Sequence, residues 1–401
     1  MFTIQTLFYK FIMFVTGLMI KIIPQPKPTV YAGPDSSLQL CKNIAQLGHS
    51  RVLIVTDAML HKMGLLDSAK ALFAQSGIEV SVYDGVEPNP TFAQVYEGLE
   101  MVKANQCDAI LAFGGGSSID AAKLISLAAT NKKSPEQLVG YFKAKTPGLP
   151  LFAVPTTAGT GSEVSLAAVV SDPATHEKGI IADPKTVPVA AALDPNIMLG
   201  LPPAITAATG IDALTHAVEA YLSTLATDES DAYALASVKL TFKNLKLAYD
   251  DGSNVEAREG MAVASFYAAL AFNKAALGYV HGIAHQFGGH YNTPHGLANA
   301  IVLPHILEFL KDASQDRMAQ LATALNLGSP SDSNAVLAQK FIDAVRELNT
   351  YLSIPETLDS LKTSDIPAIA KAALKESHYS YPVPKYMNQK QCEALVHKMA
   401  G

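Results

Sequence analysis

Four side chains suited to one kind of chemistry stand out: Asp212, His216, His281 and His295. They fall in two short blocks, Gly-Ile-Asp-Ala-Leu-Thr-His (210–216) and Gly-Tyr-Val-His-Gly-Ile-Ala-His-Gln-Phe-Gly-Gly-His-Tyr-Asn-Thr-Pro-His-Gly (278–296). One carboxylate and three imidazoles can hold a divalent transition metal and leave a coordination position open, the mark of a catalytic ion. Asp212 and His216 are four apart, so on a helix they share one face. His281 and His285 repeat that spacing. Pro294 then interrupts the pattern, and His295 is expected near the start of a new helix, with two or three elements converging on one ion. A lone Asp-x-x-x-His pair is usually a surface or capping arrangement. Four histidines within fifteen residues, in a chain with only 11, are less ordinary. The glycines between them imply close backbone approach.

Two further stretches have phosphate-binding character. Ala112-Phe-Gly-Gly-Gly-Ser-Ser-Ile-Asp-Ala-Ala-Lys (112–123) joins a strand to a helix through three glycines. Their amides can reach a phosphate at a helix N-terminus, where the dipole favours negative charge. Ser117 and Ser118 are expected to cap that helix. The stretch is not Gly-x-Gly-x-x-Gly, so the standard dinucleotide fingerprint is not met. Pro155-Thr-Thr-Ala-Gly-Thr-Gly-Ser-Glu (155–163) follows another strand and is dense in small donors. Either loop alone reads equally as a tight turn. Together, at strand C-terminal ends, they define the kind of crevice where ligands bind open α/β sheets. Asp57 follows the first clear strand. It reads either as a helix N-cap or as a carboxylate accepting from adenosine ribose hydroxyls, the latter favouring NAD over NADP. Lys178 is a phosphate or ribose contact, or a solvated turn lysine.

The elements that position these residues alternate in the first half. Strands are expected at Arg51–Thr56, Glu79–Tyr83, Ala109–Phe113 and Leu151–Val154, with helices at 57–73, 93–105 and 118–130. That alternation argues a parallel sheet. From Pro203 onward the chain reads as Ala-rich helices with few strand signals. The boundary is placed where Pro195, Gly200, Pro202 and Pro203 cluster. The expected organisation is an apolar extension (1–24), an α/β dinucleotide-binding domain (25–197) and an all-helical metal domain (198–401).

Composition excludes several classes. A chain of 401 residues is too long for a single core. With 16% charged and 49% hydrophobic residues it is a compact folded protein, not a disordered one. A net charge of −6 without a basic stripe excludes nucleic acid as a partner. Three scattered cysteines suit a reducing cytoplasm, and no Cys-x-x-Cys competes for the metal. The extension is nearly all apolar from Phe11 to Ile20 between Lys10 and Lys21, without a clear cleavage site. It is read first as an extra helix packed on the first domain, or as a start upstream of the true one at Met19. A membrane-interface helix or an anchor on another subunit are the less favoured readings.

Over roughly residues 27–375 the chain resembles the iron-containing (group III) alcohol dehydrogenases. Gly-Gly-Gly-Ser-Ser-Ile-Asp, Pro-Thr-Thr-Ala-Gly-Thr-Gly-Ser-Glu, Gly-Ile-Asp-Ala-Leu-Thr-His and the His281–Gly296 block carry the resemblance. It implies a nucleotide-binding α/β domain followed by an all-helical metal domain, and NAD(P)-dependent interconversion of primary alcohols and aldehydes. By motif position, Asp212, His216, His281 and His295 match the family's metal ligands, and His285 a histidine that handles the proton. Asp57 and Asn89 match contacts near the adenosine, and Gly115, Gly116 and Ser117 the pyrophosphate turn. Thr156, Thr157 and Thr160 match the nicotinamide-side loop, with Val169 and Lys178 as further contacts. The resemblance favours Fe(II), with Zn(II) as the alternative, and a homodimer or larger even homo-oligomer. Two departures stand out. Many members carry Asn-Pro-Arg near the C-terminus, where this chain has Tyr379-Ser-Tyr-Pro-Val-Pro-Lys-Tyr. His290 has no counterpart and reads as a pocket residue or a polar surface side chain. Phe266 and Phe272 read as core before pocket wall. The competing functions are a zinc-dependent polyol dehydrogenase of the glycerol type and a non-catalytic scaffold with a vestigial site.

Overall fold

The computed structural model describes residues 2–23, 25–171 and 178–401. In chain order the elements are α1 (Phe2–Ile22), β1 (Thr29–Ala32), α2 (Ser36–Gln46), β2 (Arg51–Val55), α3 (Ala58–Lys62), α4 (Asp67–Gln75), β3 (Glu79–Tyr83), α5 (Phe92–Ala104), β4 (Ala109–Gly114) and α6 (Gly116–Thr130). Next come β5 (Gly140–Tyr141), β6 (Leu151–Pro155), β7 (Ala167–Ser171), β8 (Lys178–Ala182), β9 (Ala190–Leu193) and α7 (Pro195–Met198). Helices alone follow: α8 (Pro203–Leu222), α9 (Asp228–Asp250), α10 (Val255–Ala275), α11 (Tyr279–Tyr291), α12 (His295–Leu310), α13 (Gln315–Ala324), α14 (Asn334–Tyr351), α15 (Ile366–Ser380) and α16 (Gln389–His397). The chain divides into two compact units. One comprises Pro24–Leu201 with Gly252–Phe266, the other Met1–Ile23, Pro202–Asp251 and Tyr267–Gly401.

The first unit is built on a six-stranded sheet in the order β1-β9-β6-β4-β2-β3, parallel throughout. Its central strands are apolar on both faces, as a sheet covered on both sides requires. Leu53 and Val55 of β2 point into a core shared with α5 and α6, including Val95, Leu99, Ile119 and Ile125. Val52 and Ile54 point the other way, toward Leu40, Ile44, Ala69 and Phe73 of α2 and α4. The four expected strands are present. β1 and β9 add an edge, and β5, β8 and β7 form a small second sheet in which β7 and β8 run antiparallel. The chain moves outward from β2 to β3 and then returns to β4 on the other side of β2. The C-terminal ends of β2 and β4 therefore flank a topological switch point, where α/β sheets bind ligands.

The second unit is helical, as expected. From Gly210 onward every residue of α8 is buried, and α9 and α12 pack on it. A helix apolar all round belongs in a core, which makes the polar residues it carries conspicuous. The extension is helical too, but it belongs to this unit, where α1 packs on α15. The reason is an aromatic cluster: Tyr9 lies against His378, Tyr379 and Tyr386 at ring separations of 4.8, 5.3 and 5.7 Å. Phe8, Phe11, Phe14 and Leu18 remain exposed on α1. Among the described residues no single helix is long and apolar enough to cross a membrane.

Candidate metal centre and nucleotide loops

Three helices of the second unit bring the four sequence-selected ligands together. Asp212 and His216 lie one turn apart on α8, His281 is in the first turn of α11, and His295 opens α12 directly after Pro294. One donor atom from each lies within 4.8 Å of the others. His295 Nε2 is 3.5 Å and His281 Nε2 4.0 Å from Asp212 Oδ1. Metal bonds of roughly 2.1 Å place neighbouring ligand atoms roughly 3–4 Å apart, so this spacing suits one ion. The close approach of α12 to α8 depends on Gly296, where a Cβ would sit 2.3 Å from the Ala208 carbonyl oxygen.

The polar balance of the site also fits a cation. Asn299 Nδ2 is 2.7 Å from Asp212 Oδ1, 3.1 Å from His281 Nε2 and 3.2 Å from His295 Nε2. An amide nitrogen has two hydrogens and cannot satisfy three acceptors. Three lone pairs aimed at one point is the pattern a cation completes. Asn299 Oδ1, meanwhile, is buried without a hydrogen-bond partner among the described residues. Asp212 and His281 are each 1% exposed, while about a third of the His295 side chain reaches solvent. The site is therefore open on the His295 side.

Glu219, two turns along α8 from Asp212, backs His281. Its Oε2 accepts from His281 Nδ1 at 2.6 Å, and its Oε1 from the Val280 amide at 2.7 Å. Burial raises its carboxyl, the amides of Val280, Gly278 and His281 draw it back, and a cation on His281 would hold it ionised. The bond fixes the proton on Nδ1 and leaves Nε2 as the coordinating nitrogen. Glu219 was not among the sequence candidates; its only signal is a charged residue inside an Ala-rich apolar helix. His285 lies beside the cluster but outside it, its ring 5.3 Å from that of His295. His290 is exposed and its Nδ1–H donates to the Gln286 carbonyl, so it is a surface side chain. Phe266 is core, whereas half-buried Phe272 lies against the His216 ring at 4.8 Å and walls the site.

In the first unit the two loops meet at adjacent strand ends. The amide of Thr156 donates to Gly114, joining the ends of β6 and β4. α6 starts earlier than expected: Gly115 is its N-cap, no side chain caps it, and Ser117 and Ser118 lie within its first turn. The expected serine cap is thus absent because the helix already includes both serines. The uncapped first-turn amides, with Gly115, Gly116 and Ser117, are disposed to meet an anion. Asp57 does cap α3, its Oδ1 accepting from the Leu60 amide at 2.9 Å. Asn89 is exposed in the loop before α5 with φ 58. Thr156 is buried, while Thr157 and Thr160 are partly open. Val169 lies on β7 and Lys178 opens β8.

Asp120 and Lys123 of α6 tie these loops together, and the sequence candidates omitted both. Asp120 accepts from the Ser162 hydroxyl at 2.5 Å and the Val169 amide at 2.9 Å. Lys123, fully buried, donates to the carbonyl oxygens of Ser165 and Ala167 at 2.9 and 2.7 Å and to the Ser165 hydroxyl at 2.8 Å. Burial raises the Asp120 carboxyl, lowers Lys123 to about 8 and raises Glu163 to about 7. An acid and a base in Ile-Asp-Ala-Ala-Lys-Leu-Ile were the available signal.

Known proteins share this arrangement of elements. Residues 27–195 match the family described as iron-containing alcohol dehydrogenase. Residues 206–400 match its C-terminal counterpart, described as Fe-containing alcohol dehydrogenase family, C-terminal. The chain is 42% identical over 347 residues to alcohol dehydrogenase 4 of Schizosaccharomyces pombe, covering 86% of this chain and 81% of that protein. It is 37% identical over 351 residues to the NAD-dependent methanol dehydrogenase of Bacillus methanolicus, covering 87% and 92%. A solved structure of 1,3-propanediol oxidoreductase superposes with a TM-score of 0.91 at 39% identity, covering 94% of this chain and 99% of the other.

Proposed function

This chain belongs to the iron-containing alcohol dehydrogenase family, and on that premise we propose that it interconverts primary alcohols and aldehydes with NAD as hydride carrier. The observation that carries the proposal is the convergence of Asp212, His216, His281 and His295 within 4.8 Å, with Glu219 orienting His281. These four residues would hold the metal. When bound there, Fe(II), or Zn(II) in its place, supplies a Lewis acid that lowers an alcohol's pKa and polarises an aldehyde carbonyl. A three-imidazole, one-carboxylate set suits either ion, and the family favours iron. His285, one turn from His281, takes up or returns the hydroxyl proton.

The nucleotide contacts are assigned to the first unit. The first-turn amides of α6, with Gly115, Gly116 and Ser117, hold the pyrophosphate. Asp57 keeps one carboxylate oxygen for a ribose hydroxyl while the other caps α3, which favours NAD over NADP. Asn89 lies on the adenosine side. Thr156, Thr157 and Thr160, with Val169 and Lys178, hold the nicotinamide side. Three buried, unpaired cysteines are in keeping with a reducing cytoplasm. The family resemblance points to a homodimer or larger even assembly.

The deciding experiment is a panel of primary alcohols, aldehydes and glycerol with NAD or NADH, on protein loaded anaerobically with Fe(II) or with Zn(II). Turnover of short primary alcohols or aldehydes by the Fe(II) form supports the assignment. Activity confined to glycerol with Zn(II) would replace it with a polyol dehydrogenase, and no turnover with any pair would leave a scaffold.

A further inference from the structure

His285 is held by a pair of residues that no sequence motif signalled. Its Nδ1 lies 2.7 Å from Glu376 Oε1. The same oxygen accepts from the Tyr381 hydroxyl at 2.6 Å, and Gln286 Nε2 is 3.4 Å from Oε2. An ionised carboxylate only accepts, so the proton of a neutral His285 ring is placed on Nδ1 and the lone pair on Nε2. The ring is constrained in direction as well. It lies nearly parallel to that of His295, with an interplanar angle of 19°, and edge-on to His281 at 5.8 Å.

Glu376 reaches α11 because α15 packs closely against it. A Cβ at Gly282 would meet Ser377 Oγ at 2.2 Å and the Ala373 carbonyl oxygen at 3.3 Å. Tyr381 follows the last turn of α15 and is 7% exposed. Its hydroxyl therefore sits on the carboxylate behind His285.

We propose that Glu376, anchored by Tyr381, is the positioning residue for His285, fixing its tautomer and ring direction so that Nε2 exchanges the substrate proton. The proposal rests on the reading of His285 as the proton-handling residue. In oxidation the alcohol O–H bond breaks and its proton forms the Nε2–H bond. The carbinol hydride leaves with its electron pair to the nicotinamide, and the C=O bond forms. The imidazolium then carries protons on both nitrogens, with its Nδ1–H still held by the Glu376 carboxylate. Aldehyde reduction runs the same transfers backward.

The test compares the metal-loaded wild type with Glu376→Gln, Glu376→Asp, Tyr381→Phe and His285→Ala, alone and with Glu376→Gln in the His285→Ala background. Glu376→Gln is expected to lower kcat about 10–100-fold, a share of the usual acid–base contribution, with metal content and the KM for NADH within about twofold. Glu376→Asp should recover part of the loss, and Tyr381→Phe should cost about 3–10-fold, less than the removal of the carboxylate it anchors. In the His285→Ala background Glu376→Gln should cost less than about twofold more, because residues acting as a unit are not additive. In metal-free protein labelled with ¹⁵N at histidine, His285 should show the Nδ1–H tautomer, and Glu376→Ala should convert it to a mixture. An active wild type with an unimpaired Glu376→Gln, an equal further loss without His285, or an Nε2–H tautomer in the wild type overturns the proposal. A wild type inactive on every substrate pair overturns the alcohol dehydrogenase reading instead, and the nitrogen spectra still decide the positioning.

Discussion

Glu219 Oε2 lies 2.6 Å from His281 Nδ1, and both side chains are almost fully buried. A ligand imidazole whose far nitrogen is held by a carboxylate is more basic and cannot turn away. Glu219→Gln keeps the shape and removes the charge, so its divalent-metal affinity should fall about 10–100-fold. Titration of metal-free protein with Zn(II) or Co(II), followed by calorimetry, measures this. Unchanged affinity would show that His281 needs no such support.

Metal binding should also stabilise the helical unit, since an unfolded chain does not bring residues 212 and 295 together. A metal present at one hundred times its Kd adds about 2.7 kcal/mol. For a unit of about 200 residues, that is a rise in Tm of roughly 5–11 °C, at about 2–4 °C per kcal/mol. His281→Ala should abolish the rise and the activity together. A variant that keeps either would remove His281 from the ligand set.

The helical spacing of Asp212 and His216 was legible because both lie on one continuous helix. His281 and His285 have the same spacing on α11, yet only His281 joins the cluster. Which of the two does so is decided by where α12 delivers His295, a contact that spacing along α11 cannot express. Glu219 and Glu376 were missed for a related reason. Each acquires its role only through a helix remote in sequence: 62 residues separate Glu219 from His281, and 91 separate Glu376 from His285. In the sheet, β2 and β4 announced themselves as continuous apolar runs. The Ala-Ala-Ala-Leu of β9 did not, because alanine favours helix and the strand is imposed by pairing with β1 and β6. The docking of α1 was likewise hidden, since the partners of Tyr9 lie more than 360 residues away.

Asp120 holds Ser162 and Val169, and Lys123 holds the Ser165 and Ala167 carbonyls, so the two have separable consequences. Asp120→Ala should weaken NADH binding at least about tenfold by freeing the nicotinamide-side loop, a part of the roughly 3–6 kcal/mol carried by its two charge-assisted hydrogen bonds. Metal affinity should stay within about twofold, because the metal ligands all lie in the other unit. Lys123→Met should chiefly destabilise the protein, by about 3–5 kcal/mol, because it leaves Asp120 and Glu163 buried without their cation. NADH fluorescence titration and urea unfolding separate these effects. A Lys123→Met variant as stable as the wild type would mean that the buried charges are not compensating one another.

His378 makes the stability of the helical unit depend on pH with a definite sign. The Tyr279 hydroxyl accepts from the Met387 amide at 2.8 Å, so it donates its own hydrogen to His378 Nε2, 3.0 Å away. Protonating His378 would cost that bond, and burial already holds its pKa down from 6.5 to about 4. Between those values the unfolded chain binds a proton that the folded chain refuses. Stability from this group is thus complete above pH 6.5 and lost as pH falls toward about 4. Relaxation around the protonated ring reduces the effect to about 1–2 kcal/mol. His378→Gln should be less stable near neutrality, because the fit around Tyr9 and Tyr279 changes, yet lose about 1–2 kcal/mol less than the wild type on acidification. Both proteins are compared without metal by urea unfolding at about pH 7 and about pH 4.5, bracketing most of the expected titration. Parallel loss of stability in the two would mean that His378 takes up its proton as readily in the fold as out of it.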